Sequence, residues 1–184
     1  ADLYQSARFR EGFARLKKLN LSFEAWQYHP QMRQVTDLAR AFPDTTIILN
    51  HFGGPLGIGP YKDRREEIVR QWKEDMTELA RCPKVVVKLG GINMPVNGFN
   101  WHRRAVPPSS DELATATRAY YLHAIDKFGP SRCMFESNFP VDKISCSYGV
   151  LWNTFNNIAA GFTADEKAQL IYRTAAETYR LALP

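Results

Sequence analysis

The sequence has no long apolar run, no run of like charges and few cysteines. Since no apolar stretch approaches the ~20 residues of a transmembrane helix, we expect no membrane partner. The net charge is +5, but the basic residues occur as scattered pairs that are typical of solvated helix faces. We therefore expect no nucleic-acid partner either. The amino terminus also lacks the basic and apolar regions of a signal peptide.

Cysteine usage points to a reducing compartment. Cys82, Cys133 and Cys146 are odd in number and show no CxxC spacing, which argues against a disulfide framework or a zinc knuckle. We therefore predict a cytoplasmic location. Cys133 lies in a predicted strand and is interpreted as a small buried hydrophobe rather than a nucleophile.

Short strand-like segments alternate with helical ones along the whole chain. The predicted strands are Leu21–Tyr28, Thr45–Asn50, Val85–Leu89 and Arg132–Ser137. The predicted helices are residues 5–19, Gln31–Phe42, Lys62–Arg81, a helix capped by Ser110 or Asp111 and ending at Phe128, Tyr148–Ala160, and Ala164–Leu183 with Thr163 and Glu166 as a capping box. This alternation indicates βαβ units and a parallel sheet within a single domain, residues 1–184.

Two α/β architectures fit this pattern: a small open sheet, or half of a (β/α)8 TIM barrel, which typically takes about 250 residues. Charged residues inside the predicted strands favour the half barrel, because a barrel interior accepts them more readily. We expect Lys88 to point inward and to pair with Glu136 or Glu24, since a buried charge needs a partner. The first residues fall inside a predicted helix with no strand before it, which predicts a missing amino-terminal half.

Alternation along the strands predicts which side chains share a face. If His51 points into the barrel, Ile47 and Leu49 should point inward as well. On the first strand, Trp26 and Tyr28 share one face.

The segment NHFGGP, Asn50–Pro55, carries the strongest signal for a functional site. It places His51 directly after an apolar strand, where strand–helix folds present catalytic groups. The glycines that follow predict a close backbone approach to a ligand. A neutral imidazole can act as a general base, polarise a carbonyl or bind a metal, so His51 is also the candidate metal ligand.

Two other strand ends carry polar groups. Tyr28 and His29 lie at the end of the first strand and are candidates for binding substrate. Asn138 follows the fourth strand; it can donate and accept hydrogen bonds but cannot act as a base. Asp142 is the nearby carboxylate, either a general base or an ordinary loop residue paired with Lys143.

A long irregular loop, Asn93–Ser110, is rich in proline, asparagine and aromatic residues. Long loops in compact domains are usually functional, so this loop is a candidate lid. Trp101 is interpreted as a wall of the substrate site or as a packing anchor. Arg103 or Arg104 could bind an anionic substrate.

Four segments in this order, YHPQ, ILNHFGGP, VVVKLGG and RCMFESNFPVDK, resemble the carboxyl-terminal half of the amidohydrolase-related family. These are TIM-barrel hydrolases that include sugar lactonases. The resemblance places His51 at the end of the sixth barrel strand and Tyr28–His29 at the end of the fifth. Asn138 falls at the end of the eighth strand, where the wider superfamily usually carries an aspartate.

The resemblance implies hydrolysis of a lactone, or of another cyclic ester or amide, of an acidic small molecule. Water would attack the carbonyl with the help of a base, either Asp142 or a carboxylate or metal from the missing half, and His51 would polarise the carbonyl oxygen. The family's His-x-His motif has no counterpart here, so His29 and His51 fall short of the three protein ligands of a typical catalytic zinc site. The intact barrel could hold a divalent metal such as zinc, but we expect none firmly held by this chain alone.

Two alternatives remain open. One is a non-oxidative decarboxylase of the same family. The other is a non-catalytic half barrel that acts as a binding or assembly module. Because a half barrel leaves its strand edges uncovered, we expect a partner, either the missing amino-terminal half or a second copy in a homodimer.

Overall fold

The computed structural model describes residues 2–182, and its centre is a parallel sheet of four strands in the order β1-β2-β3-β4. The strands are β1 (Phe23–Ala25), β2 (Ile47–Leu49), β3 (Val85–Leu89) and β4 (Cys133–Phe135). All four predicted strands and their parallel arrangement are therefore confirmed. Only β3 has the predicted bounds; the other three are shorter.

The helices are α1 (Ala7–Phe13), α2 (Arg15–Lys18), α3 (Met32–Ala41), α4 (Arg65–Leu79), α5 (Ser110–Phe128), α6 (Tyr148–Ile158), α7 (Ala164–Ala168) and α8 (Thr174–Tyr179). The first predicted helix divides into α1 and α2. The last divides into α7, a π-helical turn and α8, and its predicted end at Leu183 lies outside the described residues. No helix within residues 2–182 is both long and apolar enough to cross a membrane.

One predicted helix cap is confirmed and one is not. Thr163 and Glu166 form the predicted capping box at the start of α7. The predicted cap of α5 was wrong by one or two residues: Ser109 occupies that position and exchanges hydrogen bonds with Glu112. The Ser109 hydroxyl accepts from the N3 backbone N–H, a group that would otherwise lack a partner.

One face of the sheet packs against the helices and forms the apolar core. Ile47 and Leu49 belong to this core together with Trp72 of α4, so the prediction that they share the inward face with His51 was wrong. The reason is local: His51 and Phe52 have φ values of +52° and +56°. These left-handed conformations end the strand alternation and turn the His51 side chain to the opposite face.

That opposite face, called here the inner face, carries the charged residues. Lys88 Nζ lies 2.8 Å from Glu24 Oε2 and 3.7 Å from Glu136 Oε1, so Lys88 pairs with both predicted partners. Burial lowers the pKa of Lys88, but hydrogen bonds to Glu24 and Tyr179 and the Glu136 charge outweigh it and raise that pKa. Tyr179 of α8 donates a hydrogen bond to Glu24 Oε1 at 2.6 Å.

Candidate active site

The turn after β2 sets the position of His51. Four consecutive residues, His51 to Gly54, have positive φ, which directs the chain sharply away from the sheet. The turn is fixed from behind by the fully buried Trp72, whose Nε1 donates to the Phe52 carbonyl at 2.7 Å. The imidazole is therefore held on a rigid turn at the carboxyl ends of the strands.

The His51 ring lies between an aromatic and an acidic side chain. Its centroid is 4.7 Å from that of Trp26, edge to face, and its Nδ1 is 2.9 Å from Glu136 Oε2. Both of these atoms are buried, yet their geometry does not make an aligned hydrogen bond and neither has another partner among the described residues. Nε2 is the ring nitrogen that solvent reaches.

Gly91, just after β3, makes room for this ring. Its φ is +72°, and a Cβ added there would lie 2.6 Å from His51 Nδ1 and 2.9 Å from His51 Cγ. Only glycine satisfies both the backbone conformation and the close approach.

We expect Gly91→Ala to lower the free energy of unfolding by about 1–3 kcal/mol, because the side chain adds strain and overpacking. The variant should also displace the His51 ring and reduce activity. Urea unfolding checks the first effect. Gly149→Ala is the matched control, since Gly149 lies in α6 with nothing within 4 Å of the added Cβ. Equal stability of the two variants would contradict this account of Gly91.

Beyond β4, the chain brings Asn138 and Asp142 into the same region. Asp142 is fully buried. Its Oδ1 accepts a hydrogen bond from Asn138 Nδ2 at 2.9 Å, and its Oδ2 has no hydrogen-bond partner within residues 2–182. Asp142 is therefore paired with Asn138 and not with Lys143, the alternative considered from sequence.

Burial raises the pKa of Asp142 to about 6. The Asn138 hydrogen bond, the charge of nearby His51 and a hydrogen bond from the Asn93 backbone lower it, and nearby Glu136 raises it. A carboxyl group that titrates near neutral pH suits proton transfer, because general acid–base groups work best with a pKa close to the working pH. His51, Glu136, Asn138 and Asp142 thus form one cluster of polar side chains at the carboxyl ends of β2 and β4.

His29 makes contacts inside the protein, whereas the sequence predicted that it would bind substrate. His29 is buried, its Nδ1 accepts a hydrogen bond from the Leu56 backbone at 3.1 Å, and its ring packs edge to face with Tyr61. Burial lowers its pKa. These contacts make His29 a support for the turn that carries His51. Tyr28 is 37% exposed, and its ring centroid lies 5.5 Å from that of Trp26. Because Trp26 also packs against His51, Tyr28 lies close to the site.

The long loop is held against the protein by aromatic stacking. Trp101 stacks on Phe99 with centroids 5.8 Å apart, and Arg65 of α4 lies 4.1 Å above the Phe99 ring. These contacts favour the interpretation of Trp101 as a packing anchor. Arg104 is paired with Glu112 at 2.9 Å, whereas Arg103 is exposed.

The described residues do not by themselves fit a catalytic metal. His51 and Glu136 bring two ligand atoms together, but no group of three or more His, Cys, Asp or Glu within residues 2–182 is placed to hold an ion. Three protein ligands are usual for catalytic zinc.

Glu136 is a site residue for which the sequence pattern predicts only a pairing with Lys88. Its spacing of two residues from Asn138 placed both on one face of the strand, and that was the available signal. Its approach to His51 depends on the turn after β2, which alternation could not predict.

Comparison with known proteins identifies the family of the chain. A family model described as "Amidohydrolase" matches residues 1–181. The chain is 36% identical over 180 residues to the uncharacterized protein y4mH of Sinorhizobium fredii, covering 98% of this chain and 54% of that protein. It is 28% identical over 179 residues to an L-fucono-1,5-lactonase of Burkholderia multivorans, covering 97% of this chain and 57% of that protein.

Solved structures give the same result. An amidohydrolase of Burkholderia multivorans with bound zinc matches with a TM-score of 0.82 and 26% identity over 97% of this chain and 59% of its own. A second crystal form of that amidohydrolase, with bound HEPES, gives a TM-score of 0.84 and 27% identity, covering 97% of this chain and 60% of that one. The chain thus spans a little more than half the length of the relatives it matches, and its four parallel strands correspond to about half of a TIM barrel. The chain belongs to the amidohydrolase family.

Proposed function

We propose that this chain contributes the catalytic carboxyl-terminal half of a hydrolase that opens a lactone, or another cyclic ester or amide, of an acidic small molecule. The observation that carries the proposal is the buried Asp142 carboxyl group, with its pKa raised to about 6, beside the His51 imidazole. The similarity to an L-fucono-1,5-lactonase supports a cyclic ester as the substrate class.

In this mechanism Asp142 accepts a proton from the attacking water and returns it to the leaving oxygen when the ring opens. Its unpartnered Oδ2 is the atom available for this transfer. His51 contacts the water or the substrate through Nε2. Asn138 fixes the Asp142 carboxyl group through its amide N–H, so its role is to position the base.

The proposal of an acidic substrate depends on the loop Asn93–Ser110. Arg104 is neutralised by Glu112, but Arg103 of the same loop is exposed and could face an anionic group on the substrate. We also propose a reducing, cytoplasmic setting, since Cys82, Cys133 and Cys146 are all free and buried.

We further propose that four additional strands complete the barrel, from a preceding segment of the polypeptide or from a second copy of this chain. Two features support this. β1 and β4 are edge strands of the described sheet, and such edges need cover. The chain also covers only 54% and 57% of the length of the two curated relatives it matches.

The test is a pH-stat assay of the purified protein against a panel of sugar-acid lactones and pyrone-type cyclic esters, with and without added zinc. We expect at least one class to release acid well above the spontaneous rate, with the hydroxy acid as product. Carbon dioxide release from an aromatic acid instead would favour the decarboxylase alternative. Failure to accelerate the opening of any cyclic ester would overturn the proposal.

A further inference from the structure

We infer that Ser145 is a positioning residue that holds the Asp142 turn at a fixed place beside His51. The Asp142 turn is defined here as residues 138–146, which follow β4 and contain the proposed base. The inference rests on the proposed function, because it assigns Ser145 a part in the same reaction. The attachment of the turn is a property of the folded chain, however, and it can be measured without a substrate.

The Asp142 turn is tied together by its own hydrogen bonds. The Asp142 N–H donates to the Asn138 carbonyl at 3.1 Å, and the N–H groups of Ser145 and Cys146 donate to the Asp142 carbonyl at 2.9 and 3.1 Å. The Asn138 side chain also donates to the Asp142 carboxyl group at 2.9 Å. These bonds make the turn a compact unit, but they do not fix where that unit lies relative to the rest of the site.

The Ser145 hydroxyl attaches this unit to the loop after β3. Its Oγ donates to the Asn93 carbonyl at 2.7 Å, and the two residues are only 3% and 2% exposed. Such a bond is costly to break, because both groups would lose their partner in a place shielded from water. The Asn93 backbone N–H also donates to the Asp142 carboxyl group and lowers its pKa. Asn93 is therefore joined to the turn and to the base.

The same loop contacts His51 on its other side. Gly91 lies against the His51 ring, since an added Cβ there would come within 2.6 Å of Nδ1. The Gly91 carbonyl accepts a hydrogen bond from the buried Asn97 side chain at 2.8 Å, and the Asn97 carbonyl accepts from Arg65 of α4 at 3.0 Å. The loop after β3 carries neither reacting group, but it contacts both and sets the distance between them.

Loss of the Ser145 hydroxyl should therefore affect the rate of the reaction more than the binding of substrate. Ser145 is buried, so its side chain is not available to contact the substrate. Without the hydroxyl, the turn can move away from Asn93, and the Asp142 carboxyl group is less often aligned with the attacking water. Because a displacement of about 1 Å can cost about 10²-fold in rate, we expect Ser145→Ala to lower kcat by about 10- to 100-fold with little change in KM.

Amide hydrogen exchange, followed by NMR, tests the attachment without a substrate. We expect the amide proton of Cys146, which binds the Asp142 carbonyl, to be protected in the wild type. In Ser145→Ala its exchange should become about five- to tenfold faster, the effect of losing one buried hydrogen bond. Ser145→Thr keeps the hydroxyl, so it should recover most of the wild-type kcat and most of the protection.

Thr174→Val is the matched control. Thr174 is also buried, and its hydroxyl donates to the Pro130 carbonyl at 3.1 Å, before the start of β4 and away from the strand ends that carry the site. The urea midpoint of this variant should fall about as much as that of Ser145→Ala. Its kcat and the local exchange at Cys146 should stay as in the wild type.

The outcomes distinguish the inference from the proposed function. If exchange is faster in Ser145→Ala but the wild type hydrolyses no cyclic ester, the attachment stands and the proposed function fails. Wild-type kcat in a folded Ser145→Ala protein would overturn the inference alone, and so would an equal loss of kcat in Thr174→Val. A Cys146 amide proton that exchanges as fast in the wild type as one in an exposed loop would overturn the inference without any variant.

Discussion

Replacing Asp142 by asparagine is expected to stabilise the fold and to abolish most of the activity. The carboxyl group is fully buried, and burial raises its pKa from 3.8 to about 6. That rise corresponds to about 3 kcal/mol of destabilisation by the charged form. An amide keeps the shape of the side chain and can still accept from Asn138, so Asp142→Asn should raise the free energy of unfolding at pH 8 by about 2–3 kcal/mol.

The pH dependence follows from the sign of the shift. Because the folded pKa is higher than the unfolded value, the folded state binds more protons between about pH 4 and 6. The destabilisation is fully present above pH 6 and is relieved as the pH falls toward 4. The stability difference between variant and wild type should therefore shrink across this window, as measured by urea unfolding at pH 8, 6 and 4.

Asp75→Asn provides the matched control, since Asp75 is also largely buried but is paired with Arg33 at 3.1 Å and bonded to Gln71. Its replacement should give no stabilisation. Activity provides the second readout: if Asp142 is the base, kcat of Asp142→Asn should fall by about 10²–10⁴-fold. A variant that is less stable than the wild type at pH 8, or that retains full activity, would contradict the role assigned to Asp142.

Replacing His51 by alanine is expected to lower kcat/KM by about 10²–10⁴-fold. The side chain contributes little to the apolar core, so the free energy of unfolding should change by no more than about 1 kcal/mol. Steady-state hydrolysis and urea unfolding measure the two quantities. The effect is expected to be specific because His51 is the imidazole beside Glu136 at the mouth of the site.

His123→Ala serves as the comparison. His123 lies on α5, with its Nε2 3.0 Å from the Lys73 carbonyl and 3.3 Å from Thr77 Oγ1, so it bridges α5 to α4. Its loss should affect stability and leave the activity of the folded fraction unchanged. Wild-type turnover in the His51 variant, with its fold intact, would remove His51 from the mechanism.

Much of the fold could be predicted from local patterns in the sequence. The β-branched run Val85–Leu89 forms β3 with the predicted bounds, and α5 ends at Phe128 as predicted. Parallel strands gather their carboxyl ends at one edge, so His51, Asn138 and Asp142 were expected to lie near one another. The resemblance to the amidohydrolase-related family rested on these same strand ends and is confirmed.

The errors arose where the backbone departs from regular geometry. Positive φ is expected at glycine, but here His51 and Phe52 adopt it too. As a result, Ile47 and Leu49 lie on the opposite face of the sheet from the His51 imidazole, and not on the same face as predicted. The sequence around these residues gives no sign that they adopt positive φ. The backbone strain is compensated by contacts from distant parts of the chain, such as that of Trp72 with the turn.

Contacts between segments that are distant in the sequence could not be predicted from local patterns either. Tyr179 contacts Glu24 across 155 residues, and His29 contacts Tyr61 and the Leu56 backbone. Which atoms a side chain contacts depends on the segments that the folded chain brings close to it. Local spacing can place a polar residue at a strand end, but it does not determine the atom that residue will bind.

The most direct test of the account is a crystal structure of the protein with the hydroxy-acid product of its best cyclic ester. In crystals grown below the pKa of Asp142, which is about 6, we expect the carboxyl group of the product, which derives from the attacked carbonyl, to lie between the His51 ring and the protonated Asp142 side chain. Density for the product in another part of the molecule, such as the cleft lined by Tyr61, Arg64 and Arg70, with the His51 region empty, would contradict it.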